Sequence, residues 1–126
     1  MGDISNRKDI ESLMDSFYQK VINNKDIGFL FTDVAKLNLK KHLPIICDFW
    51  ESTLFQKTIY KGNVLAVHQD LNEQHALTEQ HFQVWLEVFN TTVDELFKGN
   101  NAEQIKIRAL SIATVMRSKI LHWPKA

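Results

Sequence analysis

Few side chains in this sequence can do chemistry: five histidines, one cysteine, two tyrosines and three tryptophans. They are the groups able to ligate a metal, attack as nucleophiles or donate to a small ligand. The histidines stand at 42, 68, 75, 81 and 122, without the paired spacing with acids or cysteines that a zinc site needs. Cys47 lies five residues from His42 in an apolar stretch, which favours a buried, inert thiol over a nucleophile. No G-x-x-x-x-G-K loop is present to cradle a phosphate, and Gly28, Gly62 and Gly99 read as isolated turn residues. What is left is a lone His68 beside Val64, Leu65 and Val67, and aromatic residues on apolar faces, Tyr18 and Trp85 among them. Taken alone, His68 also reads as a partly buried or surface histidine, and Tyr18 and Trp85 as core aromatics. A buried phenol or indole still wants a hydrogen-bond partner.

The elements that must position these groups are helical. Ile10, Leu13, Met14, Phe17, Tyr18 and Val21 step by three and four, predicting a first helix over about 7 to 23. A turn follows at Asn23, Asn24 and Asp26, where Gly28 can supply a positive φ before the corner Phe29, Leu30 and Phe31. A second helix over 34 to 55 aligns Leu39, Leu43, Ile46, Trp50 and Thr53 or Leu54, with His42 beside them. Pro44 must kink it or open a new helix in its own first turn. A loop over 57 to 63 leads to a short apolar stretch ending in His68. Thr78 then caps the clearest helix, marked by Phe82, Trp85, Leu86, Phe89, Val93, Leu96 and Phe97. His81 stands where a capping box would have an acid, so only half of the box is expected. Gly99 ends that helix, and Ile105, Ala109, Ile112, Ala113, Met116 and Ile120 mark the last one.

Composition agrees with a single all-α domain over 1–126. Hydrophobic residues make up 44% of the chain, with only four glycines and two prolines, which is too apolar for disorder and too poor in breakers for a β-sandwich. Fifteen basic and fifteen acidic residues cancel, which removes the electrostatic case for a nucleic-acid or anionic-membrane partner. No apolar run approaches a membrane span or a signal peptide, and one cysteine cannot make an internal disulfide, so a cytoplasmic protein is expected.

The string His42-Leu-Pro-Ile-Ile-Cys-Asp-Phe-Trp50, followed by Tyr60-Lys-Gly62, His68 and His81-Phe-Gln-Val-Trp-Leu86, resembles the group III truncated haemoglobins. Phe17-Tyr18 in the first helix and Phe31 in the connector agree, and the resemblance runs from about residue 7 to 121. It implies a globin-like two-over-two sandwich of α-helices around haem b, the four long helices matching B, E, G and H, with a short F helix at His68. On that pattern His68 is the proximal iron ligand; imidazole suits iron, and one protein ligand leaves the opposite axial position open. Tyr18 and Trp85 match distal hydrogen-bond donors, and His42 a distal position that gates entry or adds a hydrogen bond, or else swings to solvent. Phe31, Ile46, Trp50 and Phe82 match apolar haem contacts, and Tyr60 and Lys61 lie where a phenol and a cation meet a propionate. His75, His81 and His122 match no ligand position and are read as surface residues.

The resemblance implies reversible binding or transport of a diatomic gas, oxygen first, with nitric oxide and carbon monoxide as further ligands and a reductase to keep iron ferrous. The same parts suit nitric oxide or peroxide detoxification, because donors beside a ligand also aid bond cleavage. The rival reading is a haem-free helical interaction module in which the aromatics only build a core and a groove.

Overall fold

The computed structural model describes residues 2–57 and 77–121. Four long α-helices, α1 (Arg7–Ile22), α2 (Leu39–Phe55), α3 (Glu79–Leu96) and α4 (Asn100–Leu121), are joined by a π-helix (Leu30–Val34) between the first two, and no strand occurs among the described residues. No described helix is long and apolar enough to cross a membrane.

Helix α1 forms where its periodicity predicts. Asn6 caps it by accepting the Asp9 N–H, and Asp9 in turn accepts the Ser5 N–H, satisfying amides that the first turn leaves open. Ile10, Leu13, Met14, Phe17, Tyr18 and Val21 are all buried. In the connector, Asn24 Oδ1 accepts the amides of Asp26 and Ile27. Gly28 is needed for a reason other than a positive φ, which it does not adopt: a Cβ there would lie 2.5 Å from the Ile22 carbonyl oxygen. The chain then winds wide rather than into α2. Ala35 N–H donates to the Leu30 carbonyl five residues back, so α2 starts at Leu39 rather than near residue 34.

Pro44 sits in the second turn of a continuous α2. Its ring removes the amide that the Lys40 carbonyl would use, and Lys40 is exposed, so water can replace it. Helix α3 has a complete capping box instead of the expected half. His81 N–H donates to Thr78 Oγ1 at 3.3 Å, and Thr78 N–H donates to His81 Nδ1 at 3.1 Å, an imidazole doing what a Glu usually does. His81 is therefore half-buried, its ring 6.0 Å from that of Phe29, and not a free surface residue.

Side-chain pairs fix the directions of the helices. Arg7 of α1 reaches Asp48 and Glu51 late in α2, whereas Tyr18 meets His42 early in it, so α1 and α2 run antiparallel. Lys106 with Asp94 and Arg117 with Glu79 make α3 and α4 antiparallel in the same way. Helix α1 also packs on α3, where Lys20 pairs with Glu95. Two antiparallel pairs thus stack around the contact between α1 and α3.

The N-terminal segment locks the second pair. Asp3 accepts the amides of Asn101 at 2.9 Å and Ala102 at 2.8 Å, capping α4 from 98 residues away, as well as that of Ile4. Gly99, at φ +152°, lies so close that a Cβ would sit 2.5 Å from Asp3 Cγ. Burial pushes the Asp3 carboxyl up, but the three amide hydrogen bonds together outweigh it and hold the group below its ordinary value. A lowered carboxyl stabilises the fold fully above the ordinary carboxylate range, and that contribution is lost as pH falls through the folded value. Asp3→Ala is expected to cost about 1 kcal/mol, with a loss that shrinks in acid; urea unfolding at pH 7 and pH 3 measures both.

Candidate functional site

The candidate site is built where the α1/α2 pair meets α3. Tyr18, 5% exposed, sets its Oη 2.8 Å from His42 Nε2, with the two rings edge-to-face at 5.2 Å. The tautomer of His42 decides which group donates in that hydrogen bond. Burial raises the Tyr18 phenol well above its usual range, and the neighbouring Cys47 adds to the shift, so the phenol keeps its proton at neutral pH. Phe31, projected by the π-helix, lies 6.1 Å from the Tyr18 ring.

Trp85 approaches from α3 and is half-buried. Phe89, one turn on, stacks beside it at 5.5 Å and 17°, and Phe17 meets it edge-on at 5.7 Å and 88°. Among the described residues, no acceptor engages the Trp85 indole N–H. The two polar aromatic groups therefore differ: the Tyr18 hydroxyl is hydrogen-bonded to His42, and the Trp85 N–H has no partner among the described residues.

The other expected site residues divide by burial. Trp50 is 2% exposed and packs on Phe89 at 5.2 Å, and Phe82 is buried in the same core. Ile46 and Phe31 stay half-buried at its edge, as do Leu43 and Phe49. His68, Tyr60 and Lys61 lie outside the described residues. Phe17, expected as part of the first helix's stripe and, with Tyr18, of the family resemblance but given no role at the site, touches both Tyr18 and Trp85.

Below the donors the α1/α2 seam changes character. Arg7 Nη1 donates to Asp48 Oδ1 at 2.5 Å and Glu51 Oε1 at 3.0 Å, and Nη2 to the Pro44 carbonyl at 3.3 Å. The Arg7 hydrogen bond, helped by Lys57, holds the buried Glu51 carboxyl below its usual range against its desolvation. Cys47, buried between these charges and Tyr18, is a free thiol.

No protein-family model matches the chain. The group 3 truncated hemoglobin Ctb of Campylobacter jejuni is 30% identical over 121 residues, covering 94% of this chain and 93% of that protein. The chain belongs to the group 3 truncated haemoglobins. The crystal structure of the group III truncated hemoglobin from Campylobacter jejuni superposes with a TM-score of 0.85 at 26% identity, each chain covered completely. The two antiparallel pairs found here are thus the truncated-globin helical sandwich that the sequence pattern implied.

In this truncated globin the Cys47 thiol is pushed up to about 11, chiefly by burial. At pH 8 about one molecule in a thousand then carries the thiolate, behind a side chain that is 2% exposed. Alkylation by iodoacetamide is expected to be negligible in the folded protein and complete in urea; mass spectrometry after quenching measures it, and rapid folded-state labelling would contradict the placement.

Proposed function

We propose that the protein is a haem-b globin that reversibly binds a diatomic gas, oxygen first, with Trp85 and Tyr18 as distal donors. The observation that carries this reading is the Trp85 N–H, unengaged among the described residues and half-buried among aromatic rings, with Phe17 between it and the protonated Tyr18 phenol. Family membership supports it, since the relative from Campylobacter jejuni is a truncated hemoglobin. The residues present fit the group: Phe31, Leu43, Ile46, Phe49 and Trp85 form apolar surface that the helices leave incompletely covered, beside two hydrogen-bond donors. A flat apolar macrocycle completes such a surface.

When bound, haem would supply an iron able to bind the gas. The chain's own contributions are assigned as follows. His68 would hold the iron through a ring nitrogen. Ile46 and Phe31 would hold the macrocycle by apolar contact, with Trp50 and Phe82 supporting that wall from the core, and Tyr60 and Lys61 would meet the propionates. Trp85 would donate a hydrogen bond from its indole N–H to the bound gas. Tyr18 would donate while keeping His42 where His42 Nε2–H is the donor between them, and only by giving up His42 where the phenol is; in both cases His42 holds the phenol in place. A reductase keeps the iron ferrous, the chain acts as one domain, and its free, buried thiol suits the cytoplasm.

Absorption spectra of the haem-supplied protein test the cofactor. A Soret band with distinct ferric, deoxy ferrous and carbon monoxide forms is expected, and His68→Ala is expected to change it; a chain without the band, or one indifferent to that substitution, is instead the haem-free interaction module. Stopped-flow oxygen dissociation tests the donors. Losing a new hydrogen bond of about 1 kcal/mol speeds release about five-fold, so Trp85→Phe should reach that factor. Tyr18→Phe should fall below it where the phenol donates to His42, because breaking that bond offsets part of the gain. Equal wild-type and variant rates would reduce both residues to packing.

A further inference from the structure

We propose that Phe17 is the positioning residue for both distal donors, so that Tyr18 and Trp85 act as one unit rather than as two independent groups. The proposal rests on the functional reading above, but its geometry stands apart from it. Phe17 is 1% exposed and makes three edge-to-face contacts: with Tyr18 at 5.2 Å and 73°, with Trp85 at 5.7 Å and 88°, and with Phe89 at 5.3 Å and 76°. Among the described residues it is the only ring in contact with both donors. Phe89 touches Trp85 but not Tyr18, and His42 and Phe31 touch Tyr18 but not Trp85.

Edge-to-face contacts are directional, since the positive rim of one ring meets the negative face of another. An indole held face-on by Phe89 and edge-on by Phe17 has its plane fixed from two sides, so its N–H points one way. The phenol is held likewise, by Phe17 on one side and His42 on the other. A leucine at 17 would fill much of the volume without offering a rim, so it would keep the core apolar while releasing the orientation. Because Phe17 adjoins Tyr18 in α1 and meets Trp85 across the contact with α3, a shift of α1 on α3 moves Tyr18 with its own helix and alters the ring contact that orients Trp85.

The test uses the full chain carrying Phe17→Leu and, as a second variant of similar volume, Phe17→Met. The first readout is the indole N–H resonance of Trp85 in two-dimensional NMR, with and without haem. It should shift or broaden in both variants, while Trp50, which contacts Phe89 but not Phe17, keeps its position. The second is oxygen dissociation in a double-substitution cycle. Trp85→Phe, worth about five-fold in the wild-type background, should fall below two-fold in the Phe17→Leu background. An unmoved Trp85 resonance, an undiminished Trp85→Phe effect, or loss of folded signals in both variants overturns the proposal. The haem absorption band and the Trp85→Phe effect in the wild-type background report separately on the functional reading.

Discussion

Helix α1 has to bury one face against two partners at once, and the rest of the structure follows from how it does so. Ile10, Leu13, Met14, Phe17, Tyr18 and Val21 form that face, and α2 and α3 divide it between them. Truncating a buried Phe costs about 3–5 kcal/mol, against a whole-domain stability of about 5–15 kcal/mol. The contact between α1 and α3 is thus worth a large share of the fold, and Phe17 with Phe89 stands at its centre. The same contact carries the candidate site. Its donors project from long helices whose packing cannot slacken without unfolding, which holds a site more accurately than a loop does.

Ion pairs play a different part. Lys106 with Asp94 and Arg117 with Glu79 have carboxylates more than half exposed, and pairs of that kind contribute about 0–1 kcal/mol each. They give direction to α3 and α4 more than strength. Arg7 is the exception, because one of its partners, Glu51, is buried and is met by Arg7 and Lys57 together. The hydrogen bonds of Arg7 to Asp48 and Glu51 tie the start of α1 to the later turns of α2, and so help set which α2 residue lies opposite Tyr18.

The helices were legible in the sequence because each buries a continuous stripe, and Ile10 to Val21 or Phe82 to Val93 repeat often enough to outweigh any alternative. What escaped was geometry that no local pattern encodes. The π-helix at Leu30–Val34 has too few residues for a period to show, and it displaced the start of α2. Gly28 was read as a turn residue when the constraint is a close approach to the Ile22 carbonyl. His81 completes its capping box through Nδ1, an acceptor that capping patterns assign to Glu or Gln. Asp3 caps α4 across nearly the whole chain, and the buried Glu51 is met by Arg7 from another helix. At the candidate site the residue types at 18, 42 and 85 could be read from the sequence. The hydrogen bond between Tyr18 and His42 could not, because it depends on the register that Arg7 helps to set.

Charge along the α1/α2 seam is segregated, and this bears on what the site can hold. At one end Arg7, Asp48, Glu51 and Lys57 pair with one another. Toward the other end Cys47 and Tyr18 are both held in their neutral, protonated forms, chiefly by burial. Cys47 adds to the Tyr18 shift, since an ionised thiol beside it would repel an ionised phenol. The wall near the donors therefore offers dipoles rather than formal charge. A buried charge attracts or repels ions over several ångströms, whereas an N–H or O–H dipole acts only on an atom it can touch. Such a wall gains little by admitting an anion, which would lose its hydration without meeting a countercharge. Among the described residues, the orientation of Trp85 and Tyr18 is held by rings, Phe17 and Phe89 on one and Phe17, Phe31 and His42 on the other, rather than by any ion pair.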